Sequence, residues 1–102
     1  MKLYIDINRF VMIINTKLNL KEAAKRLGFV SINGTLFRKY EEDDETWNIK
    51  FDDECIDIWF SKYPRRRSSQ YYNLIRTETD KGFYTEETYI KYTIENLKQG
   101  KW

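Results

Sequence analysis

Three adjacent arginines stand among aromatic side chains in the stretch between residues 63 and 76. Planar guanidinium groups match phosphate oxygens through paired hydrogen bonds, and tyrosine rings can stack on exposed nucleic-acid bases. Pro64 predicts an exposed loop here, and loops are where partner-binding residues concentrate. The candidate partner-binding residues are Trp59, Tyr63, Arg65, Arg66, Arg67, Tyr71, Tyr72 and Arg76.

The same stretch also has a purely structural interpretation, in which a solvated basic loop leads into a strand whose tyrosines are half-buried. The functional interpretation makes the partner nucleic acid, or a protein or nucleoprotein with an acidic surface. Phosphate contacts contribute affinity without sequence choice. Sequence-specific recognition therefore cannot be inferred.

Catalytic residue sets are hard to assemble from this composition, because the sequence contains no histidine. Its absence removes the commonest general base, the usual serine and cysteine triads, and imidazole metal sites. The chain also lacks a glycine-rich phosphate loop. The single cysteine, Cys55, is predicted to pack as a small buried residue. We predict a protein without catalytic residues, bound metal or small-molecule cofactor.

Acidic residues concentrate at 41–45 and 52–54. Carboxylate oxygens are ligands for Mg²⁺ and Ca²⁺, but acidic turns between strands are common without metal. We interpret both clusters as solvated turns. A metal-dependent nuclease, with Asp57 beside Lys50 or Lys62, is the catalytic alternative.

The 102-residue length predicts a single domain over residues 1–102. The composition is 41% hydrophobic and 33% charged, as in folded proteins. An aromatic content of 17% exceeds the needs of a small core. We therefore expect some aromatic side chains at the surface, where they favour binding. The net charge of +2 does not by itself argue for nucleic acid.

Cellular location is predicted from cysteine content and hydrophobic run length. One cysteine cannot form an intramolecular disulfide, which fits a reducing interior. The longest apolar run, residues 10–14, is too short to span a membrane, and the start lacks a long apolar signal region. We expect a cytoplasmic protein with no membrane partner.

The first third of the chain contains a strand pattern and a helix pattern. Leu3, Ile5 and Ile7 alternate with polar or amphipathic residues and predict a strand. Residues 10–14 fit either a strand or a helix. A helix is predicted at about 19–27, with an N-cap at its first residue and a glycine directly after its end.

The dipeptide Asn33-Gly34 predicts a hairpin between residues 29–32 and 35–40, because both residue types accept positive φ angles. A different arrangement is suggested by the run Lys-Glu-Ala-Ala-Lys-Arg-Leu-Gly at residues 21–28. This run resembles the first helix of helix-turn-helix DNA-binding domains of the excisionase type. Residues 35–38 are similar to the start of a recognition helix, which would imply DNA binding.

Alternating apolar residues predict further strands at 47–51 and 56–60, another strand at 70–77, and a short extension at 83–84. A capped helix is predicted at about 85–98. The expected fold is α+β: a twisted antiparallel β-meander of about four to six strands, with both predicted helices packed on one face.

The leading functional hypothesis is a non-catalytic protein that binds nucleic acid, or a nucleic-acid-handling protein, through its arginine and aromatic surface. The alternative is a small inhibitor of a host defence nuclease. In size and in its Lys-, Ile- and Asn-rich composition the chain resembles phage and mobile-element products, among them anti-CRISPR proteins. The nuclease described above is the third hypothesis.

Overall fold

The structure, a computed structural model, describes the backbone of residues 3–42 and 44–100. Within these residues three helices and five strands follow one another in the order α1, β1 to β5, α2, α3. Their bounds are α1 Leu3–Arg26, β1 Ser31–Ile32, β2 Leu36–Glu42, β3 Glu45–Phe51, β4 Cys55–Phe60, β5 Arg67–Tyr71, α2 Tyr72–Asp80 and α3 Glu86–Lys98.

The five strands form one sheet in sequential order, with each strand antiparallel to the next. The α+β meander predicted from the sequence is thereby confirmed. The strands predicted at 47–51 and 56–60 correspond to β3 and β4. Ile49 lies opposite Ile58 in the register of these two strands.

One face of the sheet is buried against the helices, as the sequence predicted. Leu20, Ala23 and Ala24 of α1 join the same apolar cluster as the side chains of the sheet. Helix α3 supplies Ile90, Ile94 and Leu97, and contacts β4 and β5. The sheet contributes Phe37, Trp47, Ile49, Phe51, Ile56, Ile58 and Phe60.

The predicted hairpin at Asn33-Gly34 is confirmed, and the helix-turn-helix resemblance is wrong. Ile32 pairs with Leu36 across the turn, and the two turn residues have φ angles of 58° and 79°. Glycine and asparagine tolerate these left-handed angles better than other residues. The segment proposed to begin a recognition helix therefore runs into strand β2.

The strand predicted at Leu3, Ile5 and Ile7 is wrong, because these residues lie in α1. Residues 10–14 are also helical, and Asn19 lies inside this helix rather than at its N-cap. Neither glycine nor proline occurs from residue 3 to residue 26. A helix that has nucleated in such a segment can extend without interruption.

The predicted end of this helix is correct. Gly28 has a φ angle of 97°, which an L-residue with a side chain adopts only with strain. The N–H of Phe29 donates to the carbonyl of Ala24, and the N–H of Gly28 donates to that of Lys25, at 3.0 Å each. These two bonds satisfy carbonyls that the helix end would leave unpaired.

The strand predicted at 70–77 is also wrong, because β5 ends at Tyr71 and α2 begins at the next residue. Buried Tyr72 and Ile75 lie three residues apart, which places them on one side of a helix. The short strand predicted at 83–84 is absent from the described chain. Instead, the N–H of Phe83 donates to the carbonyl of Glu78 and closes the end of α2.

Helix α3 confirms the C-terminal helix prediction. The side chain of Thr85 accepts a hydrogen bond of 3.2 Å from the N–H of Thr88, and Glu86 and Glu87 lie in the first turn. Acidic residues there are favoured by the helix dipole. None of the helices described is long and apolar enough to cross a membrane.

Candidate nucleic-acid interface

The sheet face that points away from the core carries basic and aromatic side chains. Alternation along the strands places Arg38, Asn48, Trp59 and Arg67 on this face, and each lies opposite the next in the strand register. Neighbouring strands are about 4.8 Å apart, so this row crosses roughly 14 Å of the sheet. The open face, as we name it, comprises this row together with Leu36, Lys50, Asp57, Ser69 and Tyr71.

Trp59 and Arg67 form the most specific contact in this row. The guanidinium carbon of Arg67 lies 5.2 Å from the centroid of the Trp59 ring. Arg67 is exposed and Trp59 is half-buried. A cation over an aromatic face at such a site contributes about 0.5–1 kcal/mol. The contact holds a positive charge beside a stacking surface.

A tight turn between β4 and β5 presents a second cation and aromatic pair. The N–H of Arg66 donates to the carbonyl of Tyr63 at 2.9 Å, with Pro64 at the second turn position, where proline is favoured. The guanidinium of Arg66 lies 5.0 Å from the centroid of the Tyr63 ring. The Tyr63 ring also packs edge-to-face with the buried ring of Phe60. Tyr63 therefore contacts the core although its side chain is 48% exposed.

The three adjacent arginines do not all lie in one loop. Arg65 and Arg66 belong to the turn, whereas Arg67 is the first residue of β5. Arg65 is exposed and has no ion-pair partner among the residues whose side chains the structure describes. The arginine triplet, Arg65 to Arg67, thus connects the turn to the open face.

Acidic residues lie near the same end of the sheet. The N–H of Ser61 donates to the carbonyl of Thr46, which places the β4–β5 turn beside the β2–β3 hairpin. Glu45 of that hairpin is ion-paired with Lys98 at 3.1 Å. Glu41 accepts a long hydrogen bond from the Thr46 hydroxyl. Lys98 therefore offsets the negative charge of Glu45.

Tyr71 and Tyr72 occupy opposite environments although they are adjacent. Tyr71 is 56% exposed on the open face. Tyr72 is fully buried, and its hydroxyl donates to the carbonyl of Asp52 at 2.7 Å. The prediction that Tyr72 faces a partner is therefore corrected, because the start of α2 turns its ring into the core. Burial also raises the pKa of Tyr72.

Arg76 lies apart from the arginine triplet along the chain, on α2. Its guanidinium pairs with the carboxylate of Asp80 at 3.2 Å, one helical turn further on. An i,i+4 ion pair is a common feature of exposed helix surfaces. The structure thus gives Arg76 a helix-stabilising contact, whereas Trp59 contacts Arg67 and Tyr63 contacts Arg66.

Cys55 lies in an environment that disfavours its thiolate. Burial, followed by the hydrogen bond to Asp52 at 3.1 Å, raises the pKa of the Cys55 thiol to about 11. The Asp52 carboxylate also accepts from the backbone N–H groups of Cys55, at 2.7 Å, and Glu54, at 2.9 Å. These backbone bonds lower the pKa of Asp52. A protonated thiol is a poor nucleophile.

Lys50 lies opposite Asp57 on adjoining strands, as the nuclease alternative requires. One oxygen or sulfur atom from each of Asp52, Cys55 and Asp57 lies within 4.8 Å of the others. However, Asp52 already accepts the turn hydrogen bonds, and Asp57 accepts a hydrogen bond from the Ser69 hydroxyl. Both carboxylates therefore have hydrogen-bond donors from the protein, and their positions need no metal ion to explain them.

The predicted partner-binding residues did not include Arg38, Asn48 and Lys50, which the sheet register places on the open face. The signal for two of them was present, because Asn48 and Lys50 alternate with buried Trp47, Ile49 and Phe51 along β3. Asn48 is itself only 4% exposed, and its side-chain amide donates to the Ser61 hydroxyl at 2.6 Å. This bond ties the row to the β4–β5 turn.

Comparison of the chain with protein-family models, with curated proteins and with solved structures found no match.

Proposed function

We propose that the protein is a non-catalytic binding protein whose open face and arginine triplet bind single-stranded nucleic acid. The observation that carries the proposal is the placement of Arg38, Trp59 and Arg67 on one face of the sheet, with the Arg67 guanidinium lying over the Trp59 ring. Single-strand binding generally combines a positive surface along the backbone with aromatic rings on which bases stack.

Single strands suit this surface better than a duplex. Bases in a duplex are stacked on one another, whereas unpaired bases can be splayed onto aromatic rings or guanidinium planes. Trp59, Tyr63 and Tyr71 offer partly exposed side chains at or beside the open face. The two arginines held over aromatic rings can contact both a base plane and a phosphate.

The charge distribution predicts modest affinity with little sequence preference. Arg38, Lys50 and Arg67 are basic on the open face, but Asp57 lies among them. Additional positive charge comes from the β4–β5 turn, where Arg65 is exposed. Phosphate contacts of this kind position a strand without reading its bases, and they weaken as salt increases.

Replacing Trp59 by alanine tests the proposal. We expect Trp59→Ala to weaken binding of a fluorescein-labelled oligothymidylate by about 1–3 kcal/mol, the usual loss when a stacked base loses its ring. Fluorescence anisotropy at low salt gives the affinity, and circular dichroism verifies the fold.

Matched controls are available on α3, which packs on the other side of the sheet. Tyr92 is 64% exposed and Lys91 is exposed, so Tyr92→Ala and Lys91→Ala remove an exposed ring and a surface charge there. Both should bind the oligonucleotide as the wild type does. If Trp59→Ala binds equally well, or the wild type does not bind at all, the open face is not a nucleic-acid interface.

A further inference from the structure

Strand β5 forms one edge of the sheet, and part of its backbone faces outward. The N–H of Phe60 donates to the carbonyl of Arg66, and the N–H of Tyr72 donates to the carbonyl of Glu54. Hydrogen bonding alternates along an antiparallel pair, so the even-numbered residues of β5 bond to β4. The odd-numbered residues therefore direct their N–H groups away from the sheet. They are Arg67, Ser69 and Tyr71.

This edge lacks the features that usually block pairing with another strand. The opposite edge, β1, has only two residues, and such a short edge strand offers little to a partner. In contrast, β5 has five residues, contains neither proline nor lysine, and carries Arg67 as its one charged residue. In the described chain no strand lies beyond it. The outward N–H of Tyr71 donates a long hydrogen bond of 3.3 Å to the Gln70 side chain.

Helix α3 lies beside β5 and leaves space at its edge. A polar groove of about 370 Å³ lies between the two elements, and its lining includes Ser68 and Gln70 from the strand with Thr93 and Asn96 from the helix. The backbone of β5 is thus reached from the side without displacing the helix. An added strand would have polar neighbours on this side of the sheet.

The two ends of the edge carry opposite charge. The arginine triplet lies at the start of β5. At the other end, the hydrogen bond between Tyr72 and Glu54 places the acidic turn, residues 52–54, beside the strand. Lys17 offsets part of the charge of Asp52, and the N-terminus of α2 adds about half a positive charge. With three carboxylates in the turn, this end remains negative.

Antiparallel pairing of β5 with a second copy of itself brings these opposite charges together. A two-fold axis at Ser69 places the start of each β5 beside the end of the other, so each arginine triplet lies near the acidic turn of the other copy. Parallel pairing would place like charges side by side. We therefore propose that the chain forms a symmetric dimer through β5, which joins two five-stranded sheets into one.

The register of this dimer also gives Tyr71 a partner. With Ser69 opposite the same residue of the second copy, Arg67 lies opposite Tyr71 of that copy, and both side chains are on the open face. Arg67 already contacts Trp59 of its own β4, so it would lie between two aromatic rings. The triplet and the acidic turn of the other copy lie two strands apart, about 10 Å, which arginine and carboxylate side chains together can span.

Charge reversal in the acidic turn tests the dimer without altering the open face. A five-residue edge is small for a permanent interface, so we expect a reversible dimer. Sedimentation equilibrium at up to about 1 mM protein gives its Kd. Asp53 and Glu54 are exposed, and the variant Asp53→Lys, Glu54→Lys should raise the Kd at least tenfold.

The matched control changes net charge by the same amount elsewhere. Glu22 on α1 and Glu95 on α3 are exposed, and the variant Glu22→Lys, Glu95→Lys should dimerise as the wild type does. Circular dichroism verifies the fold of both double variants.

Disulfide trapping tests the register in a Cys55→Ala background. The dimer places Ser68 opposite Gln70 of the other copy, on the helix side of the sheet. Their Cα atoms would lie about 4.5 Å apart, within disulfide range. A mixture of Ser68→Cys protein and Gln70→Cys protein should therefore form an interchain disulfide on oxidation. Either protein alone should form little, because equivalent positions lie about 7–8 Å apart.

Three results would overturn the inference. They are a wild type that stays monomeric up to about 1 mM, an acidic-turn variant that dimerises as well as its control, and equal disulfide yields from the mixture and from each cysteine protein alone. If the acidic-turn variant fails to fold, disulfide trapping still decides the question. No readout is an oligonucleotide affinity, so failure of the dimer leaves the Trp59→Ala test of nucleic-acid binding intact.

Discussion

At the scale of single residues, side-chain environment separates groups that the sequence places side by side. Tyr71 and Tyr72 have the same side chain, but one lies on the open face and the other is enclosed beneath the Asp52 carbonyl. Trp59 alternates with buried neighbours along β4 and remains accessible. The surface available to a partner therefore depends on which side chains of each strand alternate onto the open face, and on the residue at which β5 ends and α2 begins.

The buried hydroxyl of Tyr72 should contribute measurably to stability. Tyr72→Phe removes the hydrogen bond to the Asp52 carbonyl, and we expect the free energy of unfolding to fall by about 1 kcal/mol. Urea denaturation provides the measurement. Tyr71→Phe is the matched control and should change stability by less than about 0.5 kcal/mol. Equal stability of the two variants would argue against the buried position of Tyr72.

Cys55 should make stability sensitive to alkaline pH. Burial raises its thiol pKa from the ordinary value of 9.0 to about 11, so the folded state favours the protonated form. The contribution of the raised Cys55 pKa to the free energy of unfolding is complete below pH 9. It is lost as the pH rises through about 11. We expect the stability advantage of the wild type over Cys55→Ala to shrink across this range.

Burial also raises the pKa values of Tyr72 and Tyr89. Both tyrosines are present in wild type and in Cys55→Ala, so their contributions to the pH dependence of stability cancel in the comparison. Thermal unfolding at a series of pH values measures the difference between wild type and Cys55→Ala. A difference that stays constant from neutral pH to pH 11 would mean that the thiol has an ordinary pKa.

At the scale of elements, the patterns with an explicit physical signal predicted the structure best. The alternation in β3 and β4, the Asn33-Gly34 turn and the Thr85 cap each correspond to an observed element. Each of these signals needs only residues that are close in the chain. The same holds for the left-handed glycine that ends α1.

The wrong strand predictions arose where a short apolar pattern fits both the two-residue period of a strand and the 3.6-residue period of a helix. Three isoleucine and leucine residues in alternation predicted a strand at the N-terminus, but such a short run does not exclude the long helix α1. In α2 the three-residue spacing of Tyr72 and Ile75 was a helix signal, masked by strand-forming aromatic and β-branched residues. For the candidate interface, the sequence indicated the arginines and Trp59. The contribution of Arg38 required the β2–β3 register, which includes a bulge near residue 39.

The N-cap of α3 provides a test at this scale. Thr85→Ala leaves the Thr88 N–H without its side-chain acceptor, and we expect about 1 kcal/mol of destabilisation in urea denaturation. Thr85→Ser retains an acceptor oxygen and should remain near wild-type stability. If the alanine and serine variants are equally stable, this hydrogen bond does not support the helix.

At the scale of the whole molecule, the sheet separates two roles. One face buries the apolar cluster and carries the helices, and the other presents basic and aromatic side chains. The net charge of only +2 conceals this distribution, because acidic residues concentrate at the β2–β3 hairpin and at the turn before β4. Binding by the open face should therefore depend on local charge and weaken steeply with added salt.

The most direct test of this account is the salt dependence of oligothymidylate binding, compared between wild type and the variant Arg65→Ala, Arg66→Ala, Arg67→Ala. Circular dichroism confirms that the variant is folded, since its two lost cation–π contacts are worth only about 1–2 kcal/mol together. Each phosphate contact on a single strand changes the slope of log affinity against log salt by about 0.7.

If all three arginines contact phosphates, the variant should bind at least tenfold more weakly at low salt, with a slope shallower by about 2. A folded variant that binds with wild-type affinity and an unchanged slope would contradict the account and place the functional surface elsewhere.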